Sequence, residues 1–199
     1  MSEFYPVSRI EYPYLGGVGF LSGLPVVLVE LQEGAPRTSI DNVVRAVHRK
    51  RVGLRERAPK WVAIQGDTRL ADNDLALMLR THVQCPVCIE TDGRAPMCDP
   101  ARSGGRLAMW DHVAVRVKLP VPRIVTERFH SIVVNSPCGL SDLVAFDLFL
   151  DKNGYNGPRY LDGPGSPSAA CAVGKDWRVT ASLIRECADG RWLFSGVED

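Results

Sequence analysis

The chain has 199 residues, of which 45% are hydrophobic and 24% are charged, and its formal net charge is +1. This composition is typical of one soluble globular domain, and it excludes a disordered, collagen-like or repeat protein. No apolar run approaches the roughly 20 residues that cross a bilayer, and the first residues lack the basic and apolar pattern of a secretory signal. We therefore expect a single cytoplasmic domain spanning residues 1–199, with no membrane contact.

The first predicted strand is the largely apolar, β-branched run Pro25–Leu31, which is long enough to be buried on both faces of a sheet. Ser39 is a suitable N-cap for the next element, a helix whose apolar residues recur at helical spacing while Arg45 and Arg49 face water. Strand and helix patterns then alternate to the C-terminus. The later predicted strands are 61–64, 86–89, 112–117, 131–134, 159–161 and 192–194, and the later predicted helices are 72–80, 141–150 and 177–187.

This alternation predicts an α/β fold in which right-handed crossovers join the strands of a curved, mainly parallel sheet or partial (β/α) barrel. Ligands of such folds bind at the carboxyl ends of the strands, where the loops of several units converge. Four of the predicted strands are followed by polar residues. The candidate ligand-binding residues are therefore Gln65, Asp67, Glu90, Thr91, Lys118 and Asp162.

No cysteine occurs before residue 85. Cys85 and Cys88 form the one Cys-x-x-Cys motif, and Cys98 follows ten residues later, a spacing that could serve a metal site or a redox pair. Because this pair enters an apolar strand, we expect buried, reduced thiols instead, and we predict no metal site. The six cysteines are Cys85, Cys88, Cys98, Cys138, Cys171 and Cys187.

The segment from Arg45 to Lys60 is strongly basic. It carries seven basic residues against the single acid Glu56, a local charge of about +6. A solvated helix face is the simplest interpretation, and a surface that binds an anion, a nucleic acid or an acidic protein is the alternative. No aromatic residues are interleaved to support base stacking. The candidate residues for an anion or partner are Arg45, Arg49, Lys50 and Arg51.

Several short motifs at the predicted strand ends follow the order found in one enzyme family. Ile89-Glu-Thr-Asp-Gly93 is similar to Ile-Glu-Thr-Asn-Gly of 7-carboxy-7-deazaguanine synthase, a radical S-adenosylmethionine enzyme of queuosine and deazapurine biosynthesis. Residues 10–19, 23–31, 64–68 and 110–118 resemble further segments of that family. The resemblance implies a partial (β/α) barrel of the radical S-adenosylmethionine type and a homodimer. It also suggests a setting in deazapurine metabolism, for example in a phage.

The chain departs from this family where the family holds its iron–sulfur cluster. There a Cys-x-x-x-Cys-x-x-Cys loop follows the first strand, whereas residues 32–39 here read Gln-Glu-Gly-Ala-Pro-Arg-Thr-Ser. Thiolates hold such clusters, and these residues supply none. Pocket motifs of the family are also replaced, for example by Gly16, Val18 and Leu24. We therefore expect no four-iron cluster, no bound S-adenosylmethionine, no other cofactor and no catalytic residue.

Three functions remain open from the sequence. The first is a catalytically inactive relative of 7-carboxy-7-deazaguanine synthase that acts as a binding or interaction protein. The second is a non-radical enzyme, or a binder of a purine-like or pterin-like molecule, that uses the residual pocket. The third is a nucleic-acid or protein partner bound through the basic segment from Arg45 to Lys60.

Overall fold

The computed structural model describes residues 4–15, 21, 24–52, 59–94, 110–120, 124, 129–135, 140–162 and 192–194. No helix in this part of the chain is long and apolar enough to cross a membrane. The strands are β1 Phe4–Leu15, β2 Pro25–Leu31, β3 Arg37–Ser39, β4 Trp61–Gly66, β5 Val87–Thr91, β6 His112–Lys118, β7 Ser131–Asn135, β8 Arg159–Asp162 and β9 Trp192–Phe194. The α-helices are α1 Ile40–Val52, α2 Asn73–Val83 and α3 Leu140–Lys152, and a 3₁₀ turn covers Thr68–Leu70.

The strands form one open, mixed and mainly parallel sheet. β2 and β4 to β9 are parallel and lie side by side in the order in which they follow along the chain. β1 joins β2 antiparallel, and the short β3 pairs with the other side of β1. The α/β class and the mainly parallel sheet are thus confirmed. The predicted helix 177–187 lies outside the described residues.

The first core lies between the sheet and the helices α1 and α2. Ser39 Oγ accepts a hydrogen bond of 3.4 Å from Asn42 N, as the predicted cap requires, and Val43 and Val47 of α1 are fully buried. Asp72 caps α2 by accepting a bond of 3.0 Å from Leu75 N, and the same carboxylate accepts from the buried hydroxyl of Tyr5. This shared carboxylate connects β1 to the start of α2.

The second core lies under α3, where Leu143, Phe146 and Leu150 are buried against β6 and β7, in agreement with the predicted helix face. Arg159 of β8 is only 3% exposed at the edge of this core. Its guanidinium forms an ion pair with Asp147 and also donates a hydrogen bond of 2.6 Å to Asp151 Oδ1. One buried cation therefore links β8 to two carboxylates of the helix.

Two imidazoles lie at the amino ends of the parallel strands, on the edge of the sheet opposite to the pocket described below. The rings of His112 and His130 stack with their centroids 5.1 Å apart. His112 Nε2 forms a hydrogen bond of 2.8 Å with Ser131 Oγ, and Val113 N donates a hydrogen bond of 3.0 Å to His130 Nδ1. Burial, with a smaller contribution from His130, lowers the pKa of His112 from 6.5 to about 4.

We expect the buried His112 to make the protein less stable in mild acid. The unfolded chain binds a proton at His112 near pH 6.5, whereas the folded chain does so only near pH 4. Stability from this group is therefore unchanged above about pH 6.5 and falls as the pH drops toward about 4. Urea midpoints measured across this range should fall less steeply for His112→Gln, whereas His48→Gln, on the exposed face of α1, should retain the wild-type slope. Identical slopes for His112→Gln and the wild type would contradict the assignment.

Candidate functional site

A cavity of about 380 Å³ opens at the carboxyl ends of β4 to β7. Because these strands are parallel, their last residues meet at one edge of the sheet. A space of this size is in the range that holds a small molecule. The residues that line it are Gln65, Gly66, Glu90, Thr91, Asp92, Arg94, Arg116, Val117, Lys118 and Asn135.

Four lining side chains, one from each of the strands β4 to β7, form a continuous row of hydrogen bonds. Gln65 Nε2 donates to Glu90 Oε2 over 2.9 Å. Arg116 donates through Nε to the other oxygen of the same carboxylate, and through Nη1 to Asn135 Oδ1 over 2.7 Å. We call these four residues, Gln65, Glu90, Arg116 and Asn135, the polar row.

The register of the sheet explains how the polar row forms. Ile64 pairs with Ile89, so the next residues, Gln65 and Glu90, lie level with each other. Glu90 pairs with Ala114, so Arg116 lies two positions further along β6 and, by the period of two, on the same face. Arg116 in turn pairs with Val133, which places Asn135 two positions beyond it on β7. The row thus runs level from β4 to β5 and then moves two positions toward the carboxyl end at each of β6 and β7.

The centre of the row is a largely buried ion pair. The side chains of Glu90 and Arg116 are only 12% and 24% exposed. Removing such charges from water is costly unless they are paired and their remaining polar atoms are bonded, and Gln65 and Asn135 supply those bonds. The row is therefore held in place before any ligand arrives.

The rim of the cavity contains Lys118, whose ammonium has no ion pair within the described residues. The two other lining cations do have carboxylate partners, since Arg116 pairs with Glu90 and Arg94 lies 3.7 Å from Asp92. The lining side chains therefore carry one uncompensated positive charge. That charge favours a ligand with an anionic group.

Cys85 and Cys88 are buried, as the apolar strand predicts. Burial raises the pKa of the Cys85 thiol to about 11, and burial together with the charge of Glu90 raises the pKa of Cys88 further. Both are protonated at neutral pH, a state that neither attacks a substrate nor binds a metal. Over the described ranges no three His, Cys, Asp or Glu side chains are grouped to hold a metal ion, and the other four cysteines lie outside those ranges.

Of the six predicted ligand-binding residues, the structure brings four to the cavity: Gln65, Glu90, Thr91 and Lys118. Asp67 is not among the lining residues, and its carboxylate accepts two hydrogen bonds from Arg69, at 2.8 and 2.9 Å. That bond lowers the pKa of its carboxyl. Asp162 ends β8 with its backbone paired to Asn135, and its side chain lies outside the described residues.

Two members of the polar row, Arg116 and Asn135, were not predicted from the sequence. Arg116 lies inside the alternating run of β6, two residues before its end, where a charged residue is ordinarily expected to face solvent. Asn135 is the residue directly after the predicted end of its strand. Listing the polar residue that directly follows each predicted strand would have found Asn135. Adding the one charged residue within the predicted strand of β6 would have found Arg116.

The basic candidates lie away from the cavity, on α1. Arg45, Arg49 and Lys50 are exposed there. Arg51 is half-buried, and its guanidinium donates to the carbonyl oxygen of Val83 at the end of α2. Arg51 thus stabilises the contact between the two helices, and only the other three are presented to solvent.

No family model matches the chain, and no curated protein is significantly similar to it.

Proposed function

We propose that this chain is a small-molecule-binding protein without radical chemistry, and that its ligand occupies the cavity at the carboxyl ends of β4 to β7. The observation that carries the proposal is the polar row, which brings Gln65, Glu90, Arg116 and Asn135 together on one wall of a concave site. A few converging polar groups in a preformed cavity are typical of sites that orient a small ligand.

The hydrogen-bonding atoms left over by the row suggest the class of ligand. Gln65 uses its amide nitrogen within the row and keeps its oxygen as an acceptor, whereas Asn135 uses its oxygen and keeps its nitrogen as a donor. A planar purine-like or pterin-like ring presents donors and acceptors along its edge and suits such a wall. The ammonium of Lys118 adds attraction for an acidic substituent on that ring.

The scaffold that we propose is a partial (β/α) barrel of the radical S-adenosylmethionine type, in line with the resemblance to 7-carboxy-7-deazaguanine synthase. In its support, β4 to β9 lie in sequential order, whereas a doubly wound sheet reverses its strand order at the ligand site. The segment after β2 supports the loss of radical chemistry. It is a short turn in which Ala35 N donates to Gln32 O, and it contains no cysteine to hold a cluster.

We expect a pterin or deazapurine with an acidic substituent to stabilise the protein against heat. At a concentration a hundred times its dissociation constant, such a ligand adds about 2.7 kcal/mol to the free energy of unfolding. For a domain of this size that corresponds to a rise in Tm of about 5–10 °C, measured by differential scanning fluorimetry. S-adenosylmethionine should produce no rise.

A matched pair of variants tests where the ligand binds. Lys118→Gln removes the rim charge and should reduce the thermal shift, whereas Lys152→Gln removes an exposed charge of α3 that does not line the cavity and should leave the shift intact. The absence of a shift with every purine-like and pterin-like probe would contradict the binding proposal. A four-iron cluster formed on anaerobic reconstitution with iron and sulfide would contradict the loss of radical chemistry.

A further inference from the structure

The outer surface of α1 carries a cluster of positive side chains that the pocket does not use. Arg45, His48, Arg49 and Lys50 are all exposed on this helix, and Lys60 is exposed just before β4. Residues 45–60 carry a charge of about +6, so the rest of the chain is mildly acidic despite the overall charge of +1. We call Arg45, Arg49 and Lys50 the basic face of α1.

The basic face has no acidic partner in the described part of the chain. Arg45 and Arg49 each donate through Nε to a main-chain oxygen one turn earlier, at 3.3 and 3.4 Å. Across the described residues, neither these guanidiniums nor the ammonium of Lys50 lies within ion-pair distance of a carboxylate. By contrast, six described arginines do have such partners, namely Arg9, Arg69, Arg80, Arg94, Arg116 and Arg159.

The helix does not need all of these charges for its own stability. Cations in the last turn of a helix interact favourably with its dipole, which accounts for Arg49, Lys50 and Arg51. Arg45 lies too far from that end to gain from the dipole, which acts within the last turn. Arg45 and Arg49 are also like charges four residues apart, an arrangement that destabilises an isolated helix. An external polyanion would relieve that repulsion.

The geometry points to double-stranded nucleic acid as this polyanion, bound through its phosphate backbone. Arg45 and Arg49 are separated by about 6 Å along the helix axis, and duplex DNA carries one negative charge per about 1.7 Å of its length. The face can therefore meet several phosphates at once. Proteins that bind single strands stack the bases on aromatic side chains, and none of the exposed residues of α1 is aromatic. Contacts to phosphate alone also predict that binding does not depend on base sequence.

This inference is independent of the ligand proposed for the cavity, and its test is the salt dependence of duplex binding. Fluorescence anisotropy with a labelled DNA duplex of about 20 base pairs should show affinity falling from about 50 to 200 mM salt. Three phosphate contacts predict a slope of about −3 in a plot of log K against log salt concentration. Arg45→Gln, Arg49→Gln and Lys50→Gln combined should reduce that slope to near zero and weaken binding more than tenfold at the lowest salt.

A matched control removes three charges elsewhere. Arg37→Gln, Arg69→Gln and Lys152→Gln combined change the net charge equally, yet they should leave the salt slope within one unit of the wild type. Circular dichroism should show both triple variants folded, since all six residues are exposed. Equal losses in the two variants, binding that ignores salt, or tighter binding to polyglutamate or to a single strand than to the duplex would each overturn the inference.

Discussion

Replacing Arg159 by methionine is expected to lower the free energy of unfolding by about 2 kcal/mol, between the effects of breaking an exposed and a fully buried ion pair. Arg159 is 3% exposed, and its guanidinium bonds Asp147, Asp151 and the carbonyl oxygen of Tyr155. Methionine fills a similar volume but removes the buried donors that bond two partly exposed carboxylates of α3 and one main-chain oxygen. Breaking a buried pair by removing one partner is much more costly than losing an exposed one. Urea denaturation followed by circular dichroism measures the change.

Two further variants test whether the loss of stability comes from the buried ion pairs of Arg159 and not from the removal of any arginine. Arg159→Lys keeps the charge but not the planar fork that reaches two carboxylates, so it should recover only part of the lost stability. Arg69→Met breaks a double hydrogen bond to Asp67 that is exposed to solvent, and its effect should be small. If Arg159→Met and Arg69→Met shifted the urea midpoint equally, the role assigned to the buried cation would be wrong.

The pattern of apolar residues within a segment was sufficient to predict the strands and helices whose apolar residues enter the core. The apolar run of β2 and the helical spacing of Val43 and Val47 are both visible within a single segment of the sequence, and these residues are buried as predicted. β1 was missed because its sequence contains Pro6 and Pro13, which ordinarily argue against a strand. It forms because β2 and β3 pair with its two sides, and its register with β2 shifts twice. Such long-range pairing leaves no local pattern.

The site was predictable in position but not in detail. The rule that ligands bind at strand ends identified Gln65, Glu90, Thr91 and Lys118, and all four line the cavity. Which further side chains reach the same wall depends on how neighbouring strands are staggered. Glu90 pairs with Ala114, and Arg116 reaches its carboxylate diagonally from two positions further along β6. Register is a property of the assembled sheet, so a single strand sequence cannot supply it.

Gly66→Ala is expected to destabilise the protein by about 3 kcal/mol and to disturb the cavity that Gly66 lines. Gly66 has a φ of +87°, a conformation that costs residues with a side chain about 1 kcal/mol. A Cβ there would lie 2.1 Å from the carbonyl oxygen of Leu31, so the backbone of β2 or β4 must move. Asp67 N donates a hydrogen bond of 2.7 Å to that same oxygen, and a movement of either strand would weaken this bond. Thermal and urea unfolding measure the loss.

Gly154 provides the matched control, because its φ is +72° and a Cβ there would meet nothing within 4 Å. Gly154→Ala should therefore show only the conformational cost of about 1 kcal/mol, and the difference between the two variants isolates the clash with Leu31. The Gln65 side chain, one residue before Gly66, begins the polar row, so Gly66→Ala should also reduce the thermal shift produced by a cavity ligand. Gly154→Ala should leave that shift unchanged. Equal destabilisation by both variants would show that the close approach of β4 to Leu31 does not require glycine.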